Sequence, residues 1–273
     1  MLASIIIPAR GRSDLLDRAI SSIKTFDCDG IVEIVIVDDC SDEPVSSNLL
    51  REHDKVLRLQ TRSGAAVARN YGILHASADI IFLLDSDDYI LQRDFVNIID
   101  RIEPGVLYYS SISSQGFVSD YPLELELDVF FDSIFFKEAH IGQTSSLCFV
   151  KSDIFKFDES LPKHQDWDFV LNCLLKDIPV KLLSESQVFF DRADRGSLSR
   201  VPDSKKSYPW INKLRSIGIL DCSLTAKQIR FHLLGRYVNE VRWPEFIKLS
   251  LLLFLKNKTS FIEVIKRLYY RFF

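Results

Sequence analysis

Short apolar runs alternate with amphipathic segments through the first third of the chain. Apolar runs of this length, bounded by turn residues, predict buried strands. The predicted strands are residues 4–8, 31–37, 56–60 and 79–84. Apolar residues recur at helical spacing over residues 13–25 and 65–76. Strands that alternate with helices are typical of βαβ units and a parallel sheet, so we predict an α/β fold.

The pattern becomes less regular beyond residue 90. The segments that read as strands there are residues 106–111, 146–150 and 180–190. Residues 166–175 have the spacing of a helix. Two further predicted helices, residues 225–241 and 261–272, are apolar on one face and basic on the other.

Charge is distributed unevenly along the 273 residues. Residues 1–199 hold 19 basic and 33 acidic side chains, a net charge of −14, whereas residues 200–273 hold 15 basic and 5 acidic ones, a net charge of +10. A basic segment beside an acidic body suggests a polyanionic partner or a membrane surface. Alternatively, the basic segment folds back onto the acidic body. We therefore predict two domains, residues 1–199 and residues 200–273.

Several classes of protein lack support in the sequence. Five cysteines without a CxxC pair argue against a disulfide framework and a zinc site of common spacing. The cues of Rossmann dehydrogenases, P-loop NTPases, zincins and α/β-hydrolases are missing. We expect no nucleic-acid partner, because no helix-turn-helix or aromatic RNA-binding motif is evident.

Three carboxylates lie within the segment Asp85-Ser86-Asp87-Asp88, directly after a predicted strand. Ligands of open α/β sheets bind beyond the carboxyl ends of the strands. Carboxylates this close repel one another unless a cation or solvent relieves them, and hard oxygen ligands suit Mg²⁺ or Mn²⁺. The alternative is a solvated turn in which an aspartate caps the following helix.

Other candidates stand near strand or helix ends. Asp39 could accept hydrogen bonds from a base or a ribose, or it could cap a helix or serve in a turn. Arg69 could pair with a phosphate or with one of the nearby aspartates. In the segment 164–168, Asp166 could be a general base and Trp167 could stack on a sugar. Alternatively, Asp166 stabilises the helix N-terminus and Trp167 belongs to the core.

The order of these motifs points to a known family. The segments concerned are residues 4–8, 34–42, 64–73, 82–88, 157–161, 165–169 and 195–199. Together they resemble family 2 glycosyltransferases, which are inverting enzymes with the GT-A fold. The resemblance covers about residues 3–199 and implies a mixed, mostly parallel sheet flanked by helices, with a C-terminal helical extension.

The resemblance implies a role for each matching residue. Asp166 would be the catalytic base, with Gln165 and Trp167 on the acceptor side. The implied metal ligands are Asp87, Asp85 and, as a substitute, Asp88. The residues implied on the nucleotide-sugar side are Pro8, Ala9, Arg10, Asp39, Arg69, Asp85, Ser86 and Asp87. The implied cofactor is Mg²⁺ or Mn²⁺, and the implied donor is a UDP-sugar. In this chain Arg10-Gly11 replaces a frequent Tyr-Asn, and Gln165 replaces a frequent glutamate before the base.

The function implied is transfer of a sugar to a hydroxyl of a glycan or a polyprenyl-diphosphate-linked acceptor, in synthesis of a surface polysaccharide or lipopolysaccharide. Two other classes stay open. A sugar-phosphate nucleotidyltransferase usually has a Gly-rich loop after the first strand, and residues 9–12 fit that loop poorly. The second is a non-catalytic sugar-nucleotide-binding module, against which Asp87 and Asp166 argue.

Basic and apolar residues interleave over residues 256–273. A helix of this kind can lie in a membrane interface. The alternatives are a helical cap on the domain or a homodimer contact. The cysteine usage favours a reducing compartment, and the first residues lack the features of a signal peptide. We therefore expect a cytoplasmic protein, peripherally associated with the cytoplasmic face of the inner membrane.

Overall fold

The computed structural model describes residues 1–11, 13–27, 30–46, 48–114, 117–118, 121–135, 141–190 and 204–217. The predicted helices 225–241 and 261–272, and the interfacial segment 256–273, lie outside these residues. Contacts along the chain define two compact units, residues 1–130 with 139–194 and residues 131–138 with 195–273. The predicted domain boundary at residue 199 stays a prediction.

The strands and helices follow the predicted alternation at first. The strands are β1 Ala3–Ala9, β2 Val32–Asp38, β3 Lys55–Arg58, β4 Ile80–Leu83, β5 Tyr89–Arg93, β6 Leu107–Ser114, β7 Phe117–Val118, β8 Leu147–Val150 and β9 Val180–Phe189. The helices are α1 Ser13–Phe26, α2 Ala65–His75, α3 Phe95–Ile99, α4 Leu127–Phe135, α5 Gln165–Leu174 and α6 Tyr208–Ser216. Within the described residues, 3-10 helices cover Thr144–Ser146 and Ser204–Ser207.

The nine described strands form one sheet in the larger unit, in the order β3-β2-β1-β4-β8-β6-β9-β5, with β7 beside β6. The first four strands pair in parallel, as predicted. Beyond β4, the pairs β4–β8, β6–β8, β6–β7 and β5–β9 are antiparallel and only β6–β9 is parallel. Among the described strands, parallel and antiparallel pairs are thus equal in number. The mixed α/β sheet is confirmed, but parallel pairing dominates only in its first half.

Helix α1 packs as its sequence predicts, with Leu16, Ala19, Ile20 and Ile23 fully buried. Helix α2 approaches the sheet more closely, and Gly72 permits this. A Cβ atom at Gly72 would lie 2.4 Å from Cγ2 of Ile6 and 3.0 Å from Cγ2 of Val37. A larger residue there would push the helix outward. The close approach fixes Arg69, one turn earlier, relative to β1 and β2.

None of the helices in the described part of the chain combines the length and the apolar character needed to cross a bilayer.

Candidate active site

The carboxyl ends of β1, β2 and β4 meet at one edge of the sheet. The chain first adds β2 and β3 on one side of β1 and then places β4 on the other side. Such a switch point opens the crevice in which open α/β sheets bind ligands. The loops at this edge are connected, because Asp39 N donates to Ala9 O at 2.9 Å and Gly11 N donates to Ser41 Oγ at 2.9 Å.

Asp39 is buried and joins the loop after β2 to the start of α2. Its two carboxylate oxygens accept hydrogen bonds from Ser63 N at 2.7 Å and Gly64 N at 3.0 Å. A carboxylate has about four acceptor positions, so two bonds leave capacity for a base or a ribose. Among the other residues predicted on this side, Pro8 is half-buried, Ala9 is buried and Arg10 is exposed. Their contacts with a nucleotide stay predictions.

The neighbouring Asp38 has a structural role that the sequence analysis missed. Its fully buried carboxylate accepts hydrogen bonds from Ser41 and Val45 and pairs with Arg58. Burial alone would raise the pKa of Asp38, but the hydrogen bonds and the Arg58 charge outweigh it and keep that pKa below its ordinary value. Asp38 therefore stays ionised and holds the loop that presents Asp39.

The turn Asp85–Asp88 is anchored from within the protein. Asp88 N donates to Asp85 O at 3.1 Å, and Asp85 N donates to Ser145 Oγ at 3.0 Å. Ser86 and Asp87 are partly exposed, whereas Asp88 is 1% exposed. Asp88 Oδ2 accepts from Ser145 Oγ and, at 3.1 Å, from Gln143 Nε2. This burial favours a structural role for Asp88. A role for Asp88 as a substitute metal ligand stays a prediction.

Arg69 links this turn to helix α5. Its Nη2 donates to Asp85 Oδ1 at 2.6 Å, and its Nη1 donates to Gln165 Oε1 at 3.0 Å. The guanidinium also lies over the Phe157 ring, 5.2 Å from the centroid. Of the two interpretations left open by the sequence, the structure shows the ion pair with an aspartate. Contact between Arg69 and a phosphate stays a prediction.

Asp166 stands in the first turn of α5, close enough to Arg69 and Asp85 to interact with both charges. Burial of its carboxyl group raises the pKa of Asp166 to about 6, and the Asp85 charge acts in the same direction. A hydrogen bond from Trp167 N and the positive charge of Arg69 oppose this rise. A carboxylate with this pKa is suited to accept a proton near neutral pH.

The two residues predicted on the acceptor side have partners within the protein. The Trp167 ring stacks on the His164 ring, with centroids 4.5 Å apart and planes 19° from parallel. His164 precedes α5 in a left-handed conformation, with φ of 64°. Gln165 Oε1 accepts the hydrogen bond from Arg69, and Gln165 Nε2 donates to Leu161 O at 2.7 Å. Contacts of Trp167 and Gln165 with an acceptor stay predictions.

A divalent metal fits the chemistry of the Asp85–Asp88 turn. Asp85 Oδ2 has no hydrogen bond in the described part of the chain, and the Asp85 side chain keeps 24% exposure. Asp87, two residues on, is also partly exposed. One or two carboxylates plus substrate phosphates are a common ligand set for Mg²⁺. No group of three His, Cys, Asp or Glu side chains within the described ranges could hold a metal together.

The family model described as "Glycosyl transferase family 2" matches residues 4–155, more than half of the chain. This chain belongs to glycosyl transferase family 2. Family 2 membership confirms the predicted resemblance and makes the chain a glycosyltransferase. The match includes Asp39, Arg69 and the Asp85–Asp88 turn, and it ends before Asp166.

Relatives of this family 2 chain include the uncharacterized glycosyltransferase YwdF of Bacillus subtilis strain 168, 26% identical over 192 residues, which are 67% of this chain and 71% of YwdF. A Campylobacter jejuni enzyme, GalNAc(5)-diNAcBac-PP-undecaprenol beta-1,3-glucosyltransferase, is 30% identical over 108 residues. That match covers 37% of this chain and 35% of the C. jejuni enzyme.

The crystal structure of S. aureus TarS 1-349 in complex with UDP-GlcNAc has a similar fold. The TM-score is 0.59 at 19% identity, over 88% of this chain and 73% of that chain. At this identity, the likeness shows the fold alone, and it confirms the prediction of a GT-A glycosyltransferase fold.

The contacts of three residues around the Asp85–Asp88 turn were not predicted from the sequence. Gln143 and Ser145 contact the turn, and Phe157 lies under Arg69. A usable signal was present in the polar residues 143–146 directly before the apolar strand β8, because a buried polar run needs specific partners.

Proposed function

We propose that this glycosyltransferase inverts the anomeric configuration as it moves a sugar from a UDP-sugar to a hydroxyl of a glycan or lipid-linked acceptor. The pathway proposed is synthesis of a surface polysaccharide or lipopolysaccharide. The observation that carries the proposal is the bridge made by Arg69, which joins Asp85 of the donor side to the helix that bears Asp166.

The proposed reaction is one in-line displacement. Asp166 removes the proton from the acceptor hydroxyl. The hydroxyl oxygen bonds to the anomeric carbon as the bond from that carbon to the diphosphate oxygen breaks, and the configuration inverts. Arg69 holds Asp85 and the start of α5 in fixed positions, so donor and base stay aligned. Asp39 binds the base of the nucleotide through the acceptor capacity that Ser63 and Gly64 leave.

Asp85 and Asp87 would hold Mg²⁺ or Mn²⁺ in this proposal, with Asp88 behind them as support for the turn. The metal, when bound, neutralises charge that develops on the leaving diphosphate. The ion pair with Arg69 occupies only Oδ1 of Asp85, so Oδ2 stays free for this role.

We expect EDTA to lower the rate of sugar transfer by about a hundredfold or more, because charge on the leaving diphosphate would go uncompensated. Excess Mg²⁺ or Mn²⁺ should restore the rate, measured as UDP release in the presence of acceptor. EDTA already saturated with Mg²⁺ is the matched control and should leave the rate unchanged. Full activity in metal-free EDTA would remove the metal from the proposal.

The donor and the acceptor are proposed from related proteins. The TarS structure holds UDP-GlcNAc, and the C. jejuni relative is named for an undecaprenol-linked acceptor. A panel of UDP-, GDP- and dTDP-sugars, assayed for metal-dependent release of the nucleotide, tests the donor class. The anomeric configuration of the product, read by NMR, tests inversion. Release from GDP- or dTDP-sugars alone, or retention of configuration, would overturn that part of the proposal.

We also propose a cytoplasmic location on the inner-membrane surface, with contact through residues 256–273. Support comes from the basic and apolar composition of that segment, which suits a membrane interface. A lipid-linked acceptor would be most accessible from such a position.

We expect a full-length variant with Lys258, Lys266, Arg267 and Arg271 changed to glutamine to lose most of its binding to anionic vesicles. At about 1 kcal/mol for each basic residue near the surface, the four changes amount to roughly a 10³-fold loss in partitioning. Co-sedimentation with phosphatidylglycerol-containing vesicles measures the effect, and pure phosphatidylcholine vesicles are the control. Equal pelleting of both proteins with anionic vesicles would refute membrane contact by these charges.

A further inference from the structure

The Gln143 side chain is anchored beside the Asp85–Asp88 turn. Its Nε2 donates to Asp88 Oδ2 at 3.1 Å, and its backbone oxygen accepts from Ser146 N at 3.0 Å and Ser146 Oγ at 2.7 Å. Both ends of the residue are therefore fixed. Because carboxylate oxygens accept hydrogen bonds, the amide nitrogen of Gln143 faces Asp88, which sets the direction of the amide.

Gln143 is only 9% exposed. In this orientation its Oε1 is buried and has no hydrogen-bond partner among the described residues. A buried acceptor without a partner is costly, and native proteins almost always satisfy such atoms. At the edge of an active site, a bound ligand can supply the missing donor.

The position of Gln143 indicates which ligand group is nearby. On one side it contacts Asp88, the last residue of the carboxylate turn. On the other side, Gly142 packs against helix α5 so tightly that a Cβ atom would lie 2.7 Å from Cγ2 of Val170. Val170 follows Asp166 by four residues, so the two share a face of α5. Gln143 thus lies between the donor-side carboxylates and the helix that carries Asp166.

We propose that Gln143 Oε1 accepts a hydrogen bond from a hydroxyl or an amide N–H of the transferred sugar and helps to select that sugar. The inference rests on the proposed function, since the reacting sugar has to lie between the diphosphate and the base. Gln143 acts as a specificity-determining residue that binds the sugar, whereas the nucleotide is bound elsewhere, near Asp39.

The test compares binding of UDP with binding of UDP-GlcNAc and UDP-glucose by isothermal titration calorimetry on the full chain with Mg²⁺. In Gln143→Met, we expect the Kd of UDP to stay within about twofold of the wild-type value. The Kd of the UDP-sugar that the wild type prefers should rise about tenfold, because a sugar donor group loses its acceptor. Gln92→Met, on an exposed residue of β5, is the matched control and should change neither Kd.

A shorter amide gives a second variant if Gln143→Met does not fold. Gln143→Asn keeps the chemistry but lacks one methylene, so it cannot reach Asp88 and the sugar together. It should weaken binding of the UDP-sugar more than binding of UDP.

In the wild type, UDP-glucose analogues that each lack one hydroxyl should include one that binds about tenfold more weakly, and Gln143→Met should bind that analogue and UDP-glucose alike.

Distinct outcomes would overturn the inference. Unchanged UDP-sugar binding in Gln143→Met would mean that Oε1 does not contact the sugar. Equal weakening of UDP and UDP-sugar would assign Gln143 a structural role at the turn. A wild type that binds neither UDP nor either UDP-sugar would instead overturn the proposed donor, and this inference with it.

Discussion

Asp166→Asn should lower the rate of sugar transfer by about 10³-fold and leave the Kd of the UDP-sugar within about twofold of the wild-type value. Asparagine preserves the shape of the side chain but cannot take the acceptor proton. The donor side of the site, built from Asp39 and the Asp85–Asp88 turn, does not depend on that proton. Transfer kinetics and calorimetry with UDP-GlcNAc measure the two quantities separately.

The pH profile provides a second measurement of the same role. With the pKa of Asp166 raised to about 6, the carboxyl group is protonated and inactive as a base at lower pH. Transfer kcat/KM should therefore fall about tenfold for each pH unit below about 6 and level off above it. Asp177→Asn is a suitable control, since Asp177 is exposed and has φ of 54°, a conformation that asparagine also adopts. Normal turnover by Asp166→Asn would refute the base assignment.

The second large effect is expected at Arg69. Arg69→Met keeps most of the side-chain volume but leaves the Asp85 charge and the Gln165 amide without their partner. We expect kcat to fall by about a hundredfold, because misplacement of reacting groups by about 1 Å can cost that much. We also expect a loss of about 2 kcal/mol in the free energy of unfolding, less than for a fully buried pair because Asp85 keeps some exposure.

Binding of UDP distinguishes the two roles considered for Arg69. A phosphate-binding arginine would raise the Kd of UDP when removed, whereas a positioning arginine would mainly lower kcat. We expect the second result. Arg69→Lys should recover part of the wild-type kcat, because lysine keeps the charge but lacks the guanidinium fork that reaches two partners. Arg101→Met, which breaks the exposed ion pair with Glu185, is the control and should alter neither the Kd of UDP nor kcat. Wild-type kcat in Arg69→Met would contradict the positioning role.

The sequence predicts the first half of the fold well because local pattern and tertiary structure agree there. Strands β1 and β2 are mostly apolar, β4 is apolar throughout, and α1 shows its buried face as a helical stripe. The later half departs from this pattern. Strand β5 and helix α3 are five residues each, too short for periodicity to reveal, and β5 follows the carboxylate turn directly.

In the candidate site too, the sequence predicts what local pattern determines and misses contacts between distant parts of the chain. Asp39 follows β2 directly and Asp85 follows β4 after one residue, so their location at the sheet edge follows from the βαβ pattern. The contact between Arg69 and Gln165 joins residues 96 positions apart, and no local pattern contains that information. The partners of Asp88 were missed for a similar reason, since Gln143 and Ser145 lie 55 and 57 positions further along the chain, just before β8, the antiparallel neighbour of β4.

The left-handed backbone at His164 places two opposing demands on one residue. A residue other than glycine loses roughly 1–2 kcal/mol in this conformation. Glycine would relieve that strain but would also remove the ring on which Trp167 rests, directly beside Asp166. Backbone strain and side-chain packing next to the proposed base therefore favour different residues at position 164.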